Sequence, residues 1–195
     1  MTVDSSRITS DSVQLLESLG QPPEPVAEPF IVAVSGLPGT GKSFVSQRLR
    51  EKLQAIILES DALRKVLYPH PAYTAEESAH LFASIHTLIS RLLEKGVPVI
   101  LDATNLSEHN REYLYNIAKH LGAKLIMVKV KAPQDVVKQR LAERRAAATG
   151  KSDADWTIYQ KLKPTEENIR RKHYVIDTSQ DISPIIGKIV KDALG

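Results

Sequence analysis

The chain has 195 residues, 42% hydrophobic and 25% charged, with a formal net charge of +3 and no cysteine. Those values fit one globular domain with a full core and exclude wholesale disorder, a disulfide scaffold and thiolate metal sites. The charge is too small to argue by itself for nucleic acid, and the longest apolar runs are strand-sized, so no membrane span is expected. The first residues lack a basic end followed by an apolar run, and the missing cysteines suit a reducing cytoplasm, so a cytoplasmic protein is expected.

In chain order, residues 1–29 read as a flexible N-terminal tail ahead of a domain over residues 30–195. Gln21–Pro29 (QPPEPVAEP) carries four of the eleven prolines and reads as extended and solvated. Val13, Leu15, Leu16 and Leu19 offer at most a turn or two of amphipathic helix, marginal on its own. After Pro29 short apolar runs recur: Phe30–Ser35, Ala55–Leu58, Val97–Leu101, Lys124–Val130 and Tyr174–Ile176. Runs of this length bounded by breakers read as buried strands. Helical spacing between them implies an α/β fold with a parallel sheet covered on both faces. No internal repeat is visible.

Helix signals lie in the intervals. Thr74 and Glu77 match a capping box, Phe82, Ile85, Ile89 and Leu92 share a face, and Gly96 is a stop. Leu114, Ile117, Ala118 and Leu121 repeat the pattern before Gly122, and Pro133 suits the first turn of a helix after Lys124–Val130.

Directly after the first run comes Gly36-Leu37-Pro38-Gly39-Thr40-Gly41-Lys42-Ser43, a complete G-x-x-x-x-G-K-[ST] pattern followed by Phe44. Glycines let the backbone curl so that several amides face one anion, and a helix starting near Lys42 adds its positive dipole end. Residues 36–44 are therefore the expected ATP-binding segment. Lys42 is placed to reach the β- and γ-phosphates, and the Ser43 hydroxyl to ligate Mg²⁺.

Past the second strand stands Glu59-Ser60-Asp61-Ala62-Leu63-Arg64. Ligands meet open parallel sheets at the carboxyl ends of strands. There Asp61 can accept a proton from an acceptor hydroxyl, and Arg64, one helical turn on, can hold an anionic group of that acceptor. The local alternative is that Ser60 or Asp61 caps a helix and Arg64 is solvated. The third strand ends in Leu101-Asp102-Ala103-Thr104-Asn105. Asp102 follows apolar residues, as a Walker-B-like aspartate behind Mg²⁺ does; a loop-starting aspartate is the plainer alternative. Thr104 and Asn105 offer polar groups near the acceptor, and Arg111 reaches either the same cleft or the surface.

Lys138, Arg140, Arg144 and Arg145 crowd one stretch, followed by the small, polar segment 146–155. This reads as a lid at about residues 140–160, with Arg140 and Arg144 on one helical face to neutralise charge on the transferred phosphoryl group. A solvated basic helix is the alternative. Arg170-Arg171-Lys172 supports nucleic acid only weakly, with few aromatics interleaved. The six histidines show no metal-ligand spacing and read as surface or cap residues. Trp156 and Tyr159 read as ordinary packing, with anchoring of the lid as the alternative.

Taken in order, GLPGTGKS, S-D-x-x-R and D-A-T-N resemble P-loop kinases of the polynucleotide-kinase and zeta-toxin-like group, which includes small AAA-like ATP-binding kinases. The resemblance runs from Phe30 to the C-terminus. It implies a P-loop NTPase three-layer sandwich with a mainly parallel five-stranded sheet, the phosphate-loop strand central, and a helical lid. It also implies Asp61 as general base, Arg64 as acceptor clamp, Arg140 or Arg144 as lid arginine, and Asp177-Thr178-Ser179 as the edge beside adenine. Ala103 departs from the pattern, because polynucleotide kinases carry aspartate just before the T-N pair. The expected reaction is Mg²⁺-dependent transfer of the γ-phosphoryl of ATP to a hydroxyl on a small molecule, a nucleotide or nucleoside, or a 5′-hydroxyl nucleic-acid end. The alternatives are an ATP-hydrolysing switch that phosphorylates nothing and a nucleic-acid-binding module. Neither the acceptor nor the oligomeric state is legible.

Overall fold

The computed structural model describes residues 5–146 and 154–195. Its centre is β1 (Phe30–Ser35), buried along its whole length. Strand β3 (Val99–Asp102) lies on one side and β4 (Lys124–Lys131) on the other. The sheet is completed by β2 (Ile56–Glu59) outside β3 and β5 (His173–Asp177) outside β4. All four pairings are parallel, and Ile31 of β1 sits between Val99 and Leu125. The expected five-stranded parallel sheet with the phosphate-loop strand at its centre is the one observed.

Because side chains alternate along a strand, the apolar run of β1 serves two cores. Ile31 and Ala33 join Val99, Leu101 and Met127 under α4 (Ala75–Glu94) and α5 (Glu108–Leu121). Phe30, Val32 and Val34 join Ile100, Val128 and Ile176 under α2 (Lys42–Arg50) and α8 (Ser183–Leu194). Each buried Val or Ile contributes about 1.5–3 kcal/mol of transfer free energy, so the sheet is held from both faces.

The helix signals resolve in detail. Thr74 caps α4, its Oγ1 accepting from the Glu77 amide at 3.1 Å. The reciprocal half of the capping box is redirected. The Glu77 carboxylate accepts from the Ala72 amide at 2.7 Å and from Arg64, a residue of α3 (Ser60–Leu67), so it ties down the α3–α4 loop. Ile85, Ile89 and Leu92 are core, while Phe82 is only half-buried against it. Gly122 ends α5 in the left-handed conformation. Among the described residues no helix is long and apolar enough to cross a membrane.

The expected flexible tail is corrected for its first half. Ser5–Ser18 form α1, which packs on α3 and α4. Leu15 is fully buried in the core, and Asp11 lies 2.6 Å from His80 Nε2 on α4. The helix is marginal alone; docking its apolar face supplies what its own sequence does not. The same contact overturns the surface assignment of His80. His86, also on α4, stacks on Tyr113 of α5 at 5.1 Å and is half-buried.

Two measurements test this packing. Leu15→Ala is expected to lower the unfolding free energy by about 2–5 kcal/mol, read from urea midpoints, whereas an undocked leader would leave the midpoint unmoved. Burial pushes the His86 imidazole from 6.5 down to about 4. The unfolded chain therefore takes up that proton first, and the stability contributed by neutral His86 is present above the unfolded value and lost as pH falls from about 6.5 toward 4. His86→Phe should flatten that acid limb in melts run across the window.

Candidate functional site

Between β1 and α2 the chain folds so tightly over its neighbours that no Cβ fits at Gly36 or Gly39. Gly36 has φ 155°, and a Cβ there would meet the Val130 carbonyl oxygen at 2.3 Å. Gly39 has φ 77°, and a Cβ there would strike Val137 and Leu141 at 2.9 Å. The loop is fixed by Gly36 N donating to the Thr104 carbonyl at 3.1 Å and by Thr40 Oγ1 donating to the Leu37 carbonyl at 2.8 Å. Gly41 stands at the N-cap of α2 with no side chain capping the first amides, which leaves them for an anion. Pro38 is buried in the loop, and Leu37 packs under the lid. Phe44 is 50% exposed with Arg48 over its ring.

Lys42 is folded onto its own loop, Nζ donating to the Leu37 carbonyl at 3.1 Å. Burial pushes its ammonium down, Asp102 and Asp61 pull it back up, and Arg144 pushes it down again. Four of the expected site residues thus share one electrostatic field. Burial likewise raises Asp102, against the lowering effect of Lys42 and of a hydrogen bond with the Ser43 side chain; Glu59 and Asp61 raise it further. Asp102 is 5% exposed, and its Oδ2 is buried without a hydrogen-bond partner. An orphaned carboxylate oxygen beside a serine hydroxyl is a hard-oxygen donor pair that fits Mg²⁺. That ion takes one or two protein oxygens and completes its shell with phosphate and water. Among the described residues no cluster of three or more acidic or histidine side chains offers an all-protein cage.

Asp61 sits in the first turn of α3, half-buried at the carboxyl end of β2. Arg64 departs from its expected position. It is 7% exposed, with Nη1 donating to Glu77 Oε1 at 2.5 Å and Nη2 to Ser78 Oγ at 3.2 Å. Both terminal nitrogens are spent on α4, so the guanidinium fixes α3 rather than reaching outward as an acceptor clamp. Burial disfavours ionised Glu77, but the Arg64 and Ala72 hydrogen bonds outweigh it and hold the carboxyl below its ordinary range.

The lid residues divide. Val137 and Leu141 of α6 (Gln134–Ala146) and Tyr159 of α7 (Trp156–Leu162) pack on Leu37 and Leu106, with Trp156 stacked on Tyr159 at 4.9 Å, the ordinary packing expected of both aromatics. Arg140 donates to Thr178 Oγ1 at 2.7 Å and to the Thr178 carbonyl at 3.0 Å, while Thr178 Oγ1 donates to the Thr40 carbonyl at 2.7 Å. It thereby ties α6 to the end of β5 and to the phosphate loop. Arg144 lies within the field of Lys42 and donates to the Ala154 carbonyl. Residues 147–153, expected as a mobile connection, lie outside the described residues. Arg171 stacks 3.7 Å from the Tyr115 ring and pairs with Glu112, so this arginine of the second basic stretch serves packing.

Arg111, expected at the cleft or at the surface, serves instead as a buried tie. It is fully buried. Nε donates to Glu108 at 2.8 Å, Nη1 to the Asn105 carbonyl at 2.8 Å, and Nη2 to the Glu167 and Asn168 carbonyls at 3.1 Å. It joins the loop after Asp102 to the segment returning from the lid. Removing one member of such a buried pair costs about 3–5 kcal/mol. Asn105, expected near the acceptor, is instead buried at φ 45°. Glu108 and Asn105 are its local partners, while its carbonyl partners at 167 and 168 are remote in sequence.

The donor pair generates a prediction. Metal binding needs the ionised carboxylate, and Asp102 holds its proton to higher pH than an ordinary aspartate. Mg²⁺ affinity of the nucleotide-loaded protein should therefore rise with pH above the usual carboxylate range. Asp102→Asn should remove that rise and weaken Mg²⁺ by ~10-fold or more. Calorimetric Mg²⁺ titrations of both proteins across pH check this; parallel curves would refute it.

Comparison with known proteins agrees with this geometry. Residues 31–165 match the AAA domain family. The chain is 30% identical over 120 residues to the L-seryl-tRNA(Sec) kinase of Methanococcus maripaludis, covering 59% of this chain but only 46% of that protein. It is 30% identical over 137 residues to the adenylyl-sulfate kinase of Myxococcus xanthus, covering 64% of this chain and 74% of that one. Among solved structures, APE1195 superposes with a TM-score of 0.68 at 22% identity, covering 86% of this chain and 96% of that one. With the glycine turn, the parallel sheet and the covered lysine all in place, the chain belongs to the AAA domain family, in its P-loop, kinase-like form.

Proposed function

We propose that this protein is an ATP-dependent phosphotransferase that moves the γ-phosphoryl group of ATP to a hydroxyl acceptor. The observation that carries the reading is the convergence of Lys42, Asp61, Asp102 and Arg144 in one field at the mouth of the sheet. A nucleotide switch needs the lysine and the metal aspartate; a second carboxylate beside them, on the first turn of α3, suits an acceptor hydroxyl.

In this reading the amides from Gly36 to Phe44 cradle the phosphates, and Ser43 and Asp102 hold Mg²⁺. The ion, when bound, neutralises charge on the β- and γ-phosphate oxygens. Asp61 orients the acceptor hydroxyl and takes its proton. Lys42 leaves the Leu37 carbonyl for the phosphates and, with Arg144, stabilises the charge of the transferring group. Arg140 holds the lid helix against Thr178, beside the edge proposed to flank adenine. The sequence motifs favour the polynucleotide-kinase and zeta-toxin-like group within the family, while Ala103 argues against simple transfer of a polynucleotide substrate. The names of the relatives, an adenylyl-sulfate kinase and a seryl-tRNA kinase, support phosphoryl transfer to a hydroxyl without choosing an acceptor. We place the protein in the cytoplasm, where ATP and Mg²⁺ are supplied.

Incubation with labelled ATP, Mg²⁺ and a panel of hydroxyl compounds tests the assignment. Asp61→Asn is expected to lower label transfer by ~10²–10⁴ while ATP affinity is kept. Lys42→Ala should lower turnover by ~10²–10³. ATP consumption that no acceptor alters, and that Asp61→Asn leaves intact, would assign a hydrolysing switch instead.

A further inference from the structure

Thr178 stands just past β5, and its hydroxyl is engaged on two sides. Arg140 Nη1 donates to its Oγ1 at 2.7 Å, and that Oγ1 lies 2.7 Å from the Thr40 carbonyl oxygen. A guanidinium cannot accept a hydrogen bond and a carbonyl cannot donate one, so the direction is fixed. Thr178 accepts from the lid arginine and gives its one proton to Thr40. The guanidinium charge polarises the hydroxyl and strengthens that outgoing bond. Thr178 is itself held firmly. Its amide donates to the Lys131 carbonyl at 3.0 Å, and its carbonyl accepts from Arg140 Nη2 at 3.0 Å. Beside it the Asp177 carboxylate accepts from the Ser179 amide at 3.0 Å and hydroxyl at 2.6 Å.

The bond gains its meaning from the other edge of the same peptide. The C=O and N–H of a trans peptide point in opposite directions, so a Thr40 carbonyl fixed on Thr178 turns the Gly41 N–H away from β5. The Thr40 amide and hydroxyl turn instead to the Leu37 carbonyl, at 3.4 and 2.8 Å, where Lys42 Nζ also arrives at 3.1 Å. Gly41 has φ 93°, and glycine accepts either sign of φ, so sterics alone do not stop this peptide from rotating. The contact is close as well. A Cβ on Gly41 would meet Thr178 Cγ2 at 3.1 Å and Oγ1 at 3.2 Å.

We propose that Thr178 is a positioning residue for phosphate binding: its hydroxyl, oriented by Arg140, locks the 40–41 peptide so that the Gly41 amide faces the nucleotide phosphates. This rests on the reading of residues 36–44 as the phosphate site. It gives Thr178 a task toward the phosphates, although the residue lies on the edge proposed to flank adenine. It also makes α6 a party to nucleotide binding, since the guanidinium that orients the hydroxyl belongs to the lid helix.

Calorimetry on the full chain compares Mg-AMPPNP with inorganic tripolyphosphate, which has the phosphates and no base. Thr178→Val should weaken both by a common factor of ~10, and Thr178→Ser, which keeps the hydroxyl, should stay within ~3-fold of wild type. Loss confined to AMPPNP assigns the hydroxyl to the base and overturns the proposal. A folded Thr178→Val that is less stable yet binds tripolyphosphate as wild type does is merely structural at this position, and overturns it too. In ¹⁵N-labelled protein the Gly41 amide should move downfield, saturably, as tripolyphosphate is added, and Thr178→Val should shrink that shift. An equal shift in the variant overturns the proposal. Should Thr178→Val fail to fold, the wild-type spectrum still decides, because a Gly41 amide unmoved by bound tripolyphosphate refutes it. Wild-type protein that binds neither compound removes the phosphate site and the proposal together. Binding without label transfer to any acceptor removes the phosphotransferase reading alone.

Discussion

Everything at the carboxyl edge of the sheet depends on how closely the chain between Gly36 and Lys42 turns over β4. The carbonyl of Val130 and the side chains of Val137 and Leu141 occupy the space any Cβ at Gly36 or Gly39 would need. That closeness ends β1 abruptly and starts α2 at Lys42, leaving its first amides uncapped. The same turn buries the Leu37 side chain beneath α6 and α7, so the phosphate loop and the lid share one small apolar core. A loop with ordinary side chains would lift away from β4 and take the lid contacts with it.

The charges gathered there are costly to bury. Lys42 is pushed down and Asp102 up by burial, and each partly relieves the other. Such opposed perturbations are characteristic of groups prepared for a charged ligand. Asp102 keeps one buried oxygen unpaired, and a divalent cation would complete it. Around this centre, three arginines hold the frame by different means. Arg64 binds α3 to α4, Arg111 binds the loop after β3 to the return from the lid, and Arg140 binds the lid helix to β5.

Much of the architecture was legible because local signals are strong where burial is complete. Strands such as Phe30–Ser35 carry uninterrupted apolar runs, and Gly96 and Gly122 mark helix ends through positive φ. The P-loop was legible for a related reason: its geometry demands glycine at fixed spacing, so the pattern survives in one dimension. The first helix was not, because its stability comes from docking Leu15 and Asp11 onto α4 rather than from its own residues. Arg64 misled for the converse reason. Its spacing from Asp61 suggested a clamp, and only the approach of α4 spends the guanidinium on Glu77.

By itself, then, the order of residues determined an alternating α/β chain, the triphosphate-shaped turn at 36–43 and the acidic ends of the second and third strands, since each is written in neighbouring positions. The tertiary structure alone decided which charged groups remain available. Arg64, Arg111 and Arg140 look alike in the chain, yet each has a partner that lies between 13 and 57 residues away. A guanidinium is free or spent according to which carboxylate or carbonyl folding brings within hydrogen-bond reach, and no local pattern encodes that distance.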